Sequence, residues 1–179
     1  MKKFLLTIAL AAVAAVAANA QTSVGVGYVE KNAKSTHTTT NIGGLYVHAD
    51  HNIALAGDIC VAPGVAFAYV TNSDLDVKGT YIDVPIHFNY AFPVAEGFNL
   101  GIFAGPTVSL GLTSKTGDSN DFDHGLKRFD ILVGGGVALD IMDIIRVSVG
   151  YNAGLLNRSE EDAFKLNTNG LHFGAAYLF

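Results

Sequence analysis

Apolar and polar residues alternate with a period of two over most of the chain. This spacing predicts β-strands, because successive side chains of a strand point to opposite faces of the sheet. The clearest run covers residues 80–91, and four later runs at 99–111, 128–140, 145–152 and 171–179 repeat it. Weaker alternation predicts three earlier strands, at 23–29, at about 43–55 and at 58–70. The chain is therefore expected to contain eight strands.

The segments between the predicted strands alternate in length. Long polar segments cover residues 32–41, 71–79, 113–126 and 157–168, whereas the intervening segments at 56–58, 93–97 and 140–143 are short. An even number of strands, with long loops at one end and tight turns at the other, is typical of an outer-membrane barrel. The predicted fold is all-β: an eight-stranded antiparallel up-and-down transmembrane β-barrel. Both termini are expected at the end that carries the tight turns.

The first twenty residues have the three parts of a secretory signal peptide. Lys2 and Lys3 precede an apolar run over residues 4–18, and Ala18, Asn19 and Ala20 form a small-x-small cleavage site. We expect residues 1–20 to be a cleaved signal peptide, and residues 21–179 to form the outer-membrane β-barrel domain. The predicted location is therefore the cell outer membrane.

The distribution of charge favours a membrane barrel over a soluble one. Between Lys78 and Lys115 there is no basic residue, and only Asp83 and Glu96 are acidic. A soluble barrel carries its charged side chains outside, so this stretch would leave such an exterior almost uncharged. The face opposite the apolar one is mostly Gly, Ala, Ser and Asn, which suits the narrow interior of eight strands. The apolar faces are therefore expected to meet lipid.

Charge and motifs exclude several other classes of protein. The net charge is −5, and loss of the two leader lysines would make the mature chain more acidic, so nucleic acid is not expected as a partner. The single cysteine, Cys60, has no partner for an internal disulfide and lies too far from the cleavage site for a lipid anchor. The chain has no P-loop or Rossmann fingerprint, and no cofactor is predicted.

Prolines and aromatic residues give two more local expectations. Pro63, Pro85 and Pro106 lie inside predicted strands, where each removes a ladder hydrogen bond, so bulges or strand ends are expected there. Aromatic side chains are expected to form belts at the two membrane interfaces. The candidates are Tyr28, Tyr46, Tyr69, Tyr81, Tyr90, Tyr151, Tyr177, Phe92, Phe98 and Phe179.

Several segments of the second half carry a family resemblance. They are residues 81–85, residues 128–131 continuing into 133–136, residues 149–155 and residues 172–179, with 62–65 as a weaker match. In order and spacing they resemble the outer membrane protein beta-barrel domain family, small porin-like proteins abundant in Bacteroides-type bacteria. The resemblance implies an integral outer-membrane barrel and implies no catalytic residues. Phe179 looks like the C-terminal signal that the barrel-assembly machinery reads in such proteins.

Eight ionisable side chains are assigned to the lumen. One interpretation is a proton or metal site, because histidines and carboxylates that face one another can bind a divalent cation. The other is an internal polar network that pairs buried charges and plugs the barrel. We prefer the network, since no two of these residues have a metal-motif spacing, and we expect Arg146 to pair with Asp130 or Asp140. The eight are His48, Asp50, Asp83, His87, Asp130, Asp140, Arg146 and His172.

Three functional classes are compatible with such a barrel: a structural or surface-interaction protein with a filled lumen, a narrow porin-like channel, and a lipid-modifying enzyme. The first is preferred. The enzyme is the weakest, because a lipid-modifying barrel needs a serine nucleophile within reach of a histidine base on its lipid-facing wall. Ser109 and Ser148 are assigned to the lumen, and no histidine is assigned to the lipid-facing positions of predicted strands four to eight. The predicted partners are outer-membrane lipid and lipopolysaccharide, the barrel-assembly machinery, and an extracellular ligand of the long loops. The acidic segment 118–123 lacks the order of an EF-hand loop and, like residues 36–40, is interpreted as a solvated tip.

Overall fold

The computed structural model describes residues 21–34, 39–159 and 166–179. The predicted signal peptide lies outside these residues, as do residues 36–38 of the threonine-rich segment. Within the described residues, no helix is both long enough and apolar enough to cross a membrane.

The strands form one closed antiparallel sheet. Each barrel strand pairs with its neighbours along the chain, and the pairing of β1 with β9 closes the ring. The two-residue β6 only extends β5 as a hairpin, and β5 then pairs with β7. The predicted eight-stranded antiparallel barrel is confirmed. The elements are β1 (Gln21–Lys34), β2 (Thr39–Ala56), β3 (Ile59–Asn72), β4 (Val77–Ala95), β5 (Phe98–Thr116), β6 (Ser119–Asn120), a 3₁₀-helix (Asp121–His124), β7 (Phe129–Ile141), β8 (Ile145–Gly154) and β9 (Asn167–Leu178).

The outer wall of the barrel is covered with large apolar side chains. Leu45 is 70% exposed, Phe88 is 55% exposed and Phe173 is 48% exposed, although all three are strand residues. Soluble proteins rarely expose an apolar surface of this extent, whereas lipid covers it without cost. The alternation predicted for β4, β5 and β7 to β9 matches the alternation of exposed and buried positions in these strands.

Three of the predicted long loops are shorter than expected. β1 ends at Lys34 and β2 begins at Thr39, so both strands extend into the loop predicted at 32–41. β3 continues to Asn72 and β4 begins at Val77, so a four-residue turn replaces most of the loop predicted at 71–79. β5 continues to Thr116 and turns back into β6, so part of the loop predicted at 113–126 is paired. These strand ends lie beyond the apolar wall and need no apolar face, so the hydropathy pattern stops before the hydrogen-bonded ladder does.

The prediction of bulges at Pro63, Pro85 and Pro106 was wrong. The register of the β3–β4 and β4–β5 ladders is the same on both sides of these prolines, although pairing is interrupted for two residues of each strand. A short gap in the ladder therefore accommodates the missing N–H groups. The register shifts instead lie between Ala54 and Ala56, between Thr80 and Tyr81, and between Pro93 and Ala95.

Inward-facing glycines make room for rings in the lumen. A β-carbon added to Gly150 would lie 2.5 Å from Nε2 of His172 and 2.9 Å from Cζ of Phe103. At Gly101, by contrast, the nearest atom would be 3.7 Å away, an ordinary van der Waals distance. An added methyl group would therefore have to displace both rings at the first position and neither at the second.

Gly150→Ala is expected to destabilise the barrel by about 1–3 kcal/mol, because the added methyl group overpacks the rings. Gly101→Ala is the matched control and is expected to leave the free energy of unfolding nearly unchanged. Urea unfolding in phospholipid vesicles measures both variants. Equal destabilisation by the two substitutions would show that the rings do not restrict Gly150.

Candidate functional site

The eight predicted lumen residues all lie on the inward face of the barrel. Six of them line one internal cavity, and the remaining two, Asp130 and Asp140, are 2% and 7% exposed. They do not form a single cluster. We call the end with the β2–β3, β4–β5 and β7–β8 turns the turn end, and the opposite end the loop end. The cavity residues are His48, Asp50, Asp83, His87, Arg146 and His172.

Arg146 and Asp140 form a two-pronged ion pair at the turn end. Arg146 donates from Nε to Oδ1 of Asp140 at 2.6 Å and from Nη2 to Oδ2 at 2.8 Å. The two residues are direct cross-strand partners on β7 and β8. Planar, two-point pairing of this kind is the strongest form of arginine–carboxylate contact. Asp140 is thus the partner of Arg146. The alternative pairing with Asp130 was wrong, because Asp130 lies near the loop end of β7.

A second polar group lies in the middle of the lumen. Ser23 donates its hydroxyl to Oδ2 of Asp50 at 2.7 Å, and Nδ1 of His48 lies 2.9 Å from the same oxygen. Three strand positions on β1 and β2 are thereby joined through one carboxylate oxygen. Ser23 was not among the predicted site residues, although it shares the inward spacing of its strand.

Aromatic rings lie beside this group in the lumen. The Tyr46 ring centre is 5.4 Å from that of His48 and 6.4 Å from that of His172. Phe103 lies between His87, at 5.1 Å, and His172, at 6.1 Å. The predicted interfacial position of Tyr46 was therefore wrong, and Phe103 is an inward residue that the sequence reasoning missed. The sequence did contain a signal for this position, because Phe103 lies two residues from both Gly101 and Gly105 and so shares their inward face.

A third group lies in the lumen towards the loop end. Nζ of Lys31 lies 3.2 Å from Oδ2 of Asp83, and Ser109 donates its hydroxyl to the other carboxylate oxygen. The same ammonium group stands 4.0 Å above the ring centre of Tyr81. Tyr81 is only 6% exposed, so its predicted interfacial position was also wrong. Lys31 lies just beyond the predicted end of the first strand, and β1 carries it into the barrel.

Asp130 lies close to this third group. Arg158, which is 4% exposed, donates from Nε and Nη2 to the carbonyl oxygen of Lys127. Its guanidinium lies 5.6 Å from the ring centre of Tyr81, and it interacts electrostatically with Asp130. Arg158 was not predicted, because it follows the last residue of β8 in a segment assigned to a loop.

One cavity extends between these groups. The cavity measures about 160 Å³, and it is lined by polar as well as apolar side chains. Nε2 of His48 and Nε2 of His87 are both buried, so the cavity has the polarity and the size to hold water. Among the described residues, no three His, Cys, Asp or Glu side chains are arranged to hold a metal ion.

Among the residues that the structure describes, no hydrogen bond joins Ser109 or Ser148 to a histidine. The Ser109 hydroxyl donates to Asp83, and Ser148 lines the internal cavity. On the outer wall, Oγ1 of Thr22 lies 2.9 Å from Nδ1 of His51 near the turn end. His51 is a histidine on the outer face of β2 that the sequence reasoning did not single out.

Comparison with known proteins identifies a family and a set of similar folds. The chain matches the family described as outer membrane protein beta-barrel domain over residues 4–179. No curated protein matches the sequence. Neisserial surface protein A has a similar fold, with a TM-score of 0.62 and 15% identity, covering 90% of this chain and 100% of that one.

Two further solved structures are similar. Ail, the attachment invasion locus protein of Yersinia pestis, gives a TM-score of 0.55 at 14% identity, over 90% of this chain and 100% of that chain. The outer membrane enzyme PagL gives a TM-score of 0.50 at 13% identity, over 83% and 97% of the two chains. At such low identities these similarities show the barrel fold alone.

Proposed function

We propose, since the chain belongs to the outer membrane protein beta-barrel domain family, that this outer-membrane barrel is closed by its own side chains and acts as a structural or surface-interaction protein. Family membership supports a location in the outer membrane, and the fold is that of a closed antiparallel barrel. The specific role is our inference from the lumen, because an eight-stranded barrel leaves only enough interior for side chains to fill.

One observation carries this proposal: charged pairs and rings occupy the lumen at successive heights. The Arg146–Asp140 pair lies at the turn end, and the Lys31–Asp83 pair lies towards the loop end. Between them, Tyr46 and Phe103 contact the histidine rings. We propose that these groups obstruct the passage of a hydrated ion along the lumen.

The narrow porin-like channel is the alternative that this observation disfavours. Among the described residues, the internal cavity is the one feature that favours a channel, because water inside it would connect the two ends of the lumen. A lipid-modifying enzyme has less support, since Ser109 and Ser148 face inward. The likeness to PagL is one of fold, so we propose that the chain is not an enzyme.

The remaining parts of the proposal concern export and partners. We propose that residues 1–20 are removed on export and that the barrel-assembly machinery reads Phe179. In support, Phe179 is 71% exposed and lies 4.8 Å from the Tyr177 ring, measured between ring centres. The proposed surroundings are outer-membrane lipid and lipopolysaccharide. A proposed extracellular ligand would meet the loop end.

Planar-bilayer recording of the purified barrel tests the closed lumen. We expect the wild-type protein to show no stable unitary conductance. Combining Lys31→Ala with Arg146→Ala is expected to open a small conductance, because it removes a side chain from each end. Lys78→Ala is the matched control, since the Lys78–Asp76 pair is exposed and lies outside the lumen. A stable conductance in the wild-type protein would instead establish the narrow channel.

A further inference from the structure

The rim of the loop end carries an open groove that the lumen does not explain. It lies between the start of β7 and the segment that follows β8. Its base is held in place, because Lys127 N–H donates to the carbonyl of Arg158, and the Arg158 guanidinium donates back to the carbonyl of Lys127. We call it the rim groove. Its lining includes Phe122, Leu126, Lys127, Arg128, Phe129 and Leu156.

The rim groove lies where the apolar wall ends. Phe129 is the cross-strand partner of Leu110, and both side chains are outward and nearly half exposed. On β5, the apolar wall ends at Leu112, and Lys115 follows three residues later. Lys127 immediately precedes Arg128 and Phe129 in the chain. The two basic residues are therefore placed at the height where hydrocarbon gives way to lipid headgroups.

Arg128, one of the two basic residues, has its side chain held by a backbone carbonyl and an aromatic ring. Arg128 donates from Nη1 to the carbonyl oxygen of Leu112 at 3.0 Å, and its Cζ lies 4.2 Å from the Phe122 ring centre. These contacts orient the guanidinium without using a carboxylate. Within the part of the chain that the structure describes, neither Lys127 nor Arg128 forms an ion pair. Both residues are exposed.

We propose that the rim groove binds the phosphate of an outer-leaflet lipid, with an acyl chain along Phe129 and Leu110. A planar guanidinium is well suited to a phosphate, because its N–H groups match two oxygens at once, and an adjacent ammonium adds a second charge. The apolar part of the lining favours a lipid over free phosphate as the ligand, because only a lipid has acyl chains to contact it. This inference rests on the proposed surface-interaction role and deepens it, by naming the class of lipid and the residues that hold it.

Binding of monophosphoryl lipid A to the full mature barrel in neutral detergent micelles tests the site. Lys127→Gln and Arg128→Gln are each expected to weaken binding about fivefold, and the double variant more, as for one lost charge near a membrane surface. The matched control is Lys115→Gln, an exposed lysine beyond the apolar wall, which is expected to leave the affinity unchanged. The dephosphorylated lipid is expected to bind weakly and equally to all variants.

Two results would overturn the inference. Equal binding of the phosphorylated and dephosphorylated lipids would show that no phosphate is recognised. Equal weakening by Lys115→Gln would show attraction to surface charge in general and not to the rim groove. If Arg128→Gln fails to fold for want of its contact with Leu112, Lys127→Gln still decides the matter. Failure here leaves the wild-type bilayer recordings unaffected, so it is distinguishable from failure of the closed-lumen proposal.

Discussion

Replacing Arg146 with methionine is expected to destabilise the barrel by about 3–5 kcal/mol, the usual cost of leaving a buried charge without its partner. Methionine keeps much of the volume of the arginine side chain. The lost stability is therefore expected to come mainly from the Asp140 carboxylate, which remains buried without its partner. The two side chains are only 18% and 10% exposed, which leaves little solvent to compensate. The free energy of unfolding in urea, measured in phospholipid vesicles, gives the effect directly.

Two matched variants separate the buried pair from charge in general. Lys78→Met removes an exposed lysine that is paired with Asp76, and no measurable change is expected. Adding Asp140→Leu to Arg146→Met removes the stranded carboxylate and is expected to restore most of the lost stability, since an apolar pair can replace a buried ion pair. If the single and double variants were equally unstable, Asp140 would not be the group that Arg146 neutralises.

Replacing Val137 with arginine is expected to cost about 2–4 kcal/mol in lipid, because it places a charge on the lipid face near mid-depth. Val137 is 44% exposed and pairs with Ile102 and Val149, both of which also lie on the outer wall. Refolding yield and urea unfolding in vesicles measure the cost. A soluble barrel would tolerate this substitution, because water would solvate the new charge.

The control for this substitution is Met142→Arg. Met142 is 68% exposed in the β7–β8 turn, beyond the apolar wall. Its backbone has a φ of 54°, but arginine bears the same strain there as methionine. We expect almost no effect. Comparable losses at positions 137 and 142 would show that the outer wall does not contact hydrocarbon.

Hydropathy alternation was sufficient to predict the barrel, because one face of each strand must suit lipid and the other must fit a narrow lumen. The same logic placed Asp130, Asp140 and Arg146 inside and suggested that Arg146 pairs with one of the two aspartates. It was less informative at strand ends: Lys31 lies on β1 but beyond its apolar positions, so a purely hydropathic boundary excluded it. Arg158 follows β8 in a polar segment, where no periodicity could place it.

Aromatic residues were the other source of error. Composition alone suggested interfacial positions for Tyr46 and Tyr81, yet both rings lie inside. Their spacing with inward neighbours such as His48 and Asp83 was the better guide, because strand parity fixes the face regardless of side-chain type. Which of the inward groups meet at one height depends on the register across strands. That information is absent from any single strand, so the three groups in the lumen could not be predicted.

Heat-modifiable gel migration of carbonate-washed membrane fractions tests most directly whether this chain is a lipid-embedded closed barrel. The predicted result is that the mature protein stays with the outer membrane, and that unheated samples migrate differently from boiled ones because the closed barrel persists in detergent. Recovery of the protein in the soluble periplasm, with no shift on heating, would contradict the account.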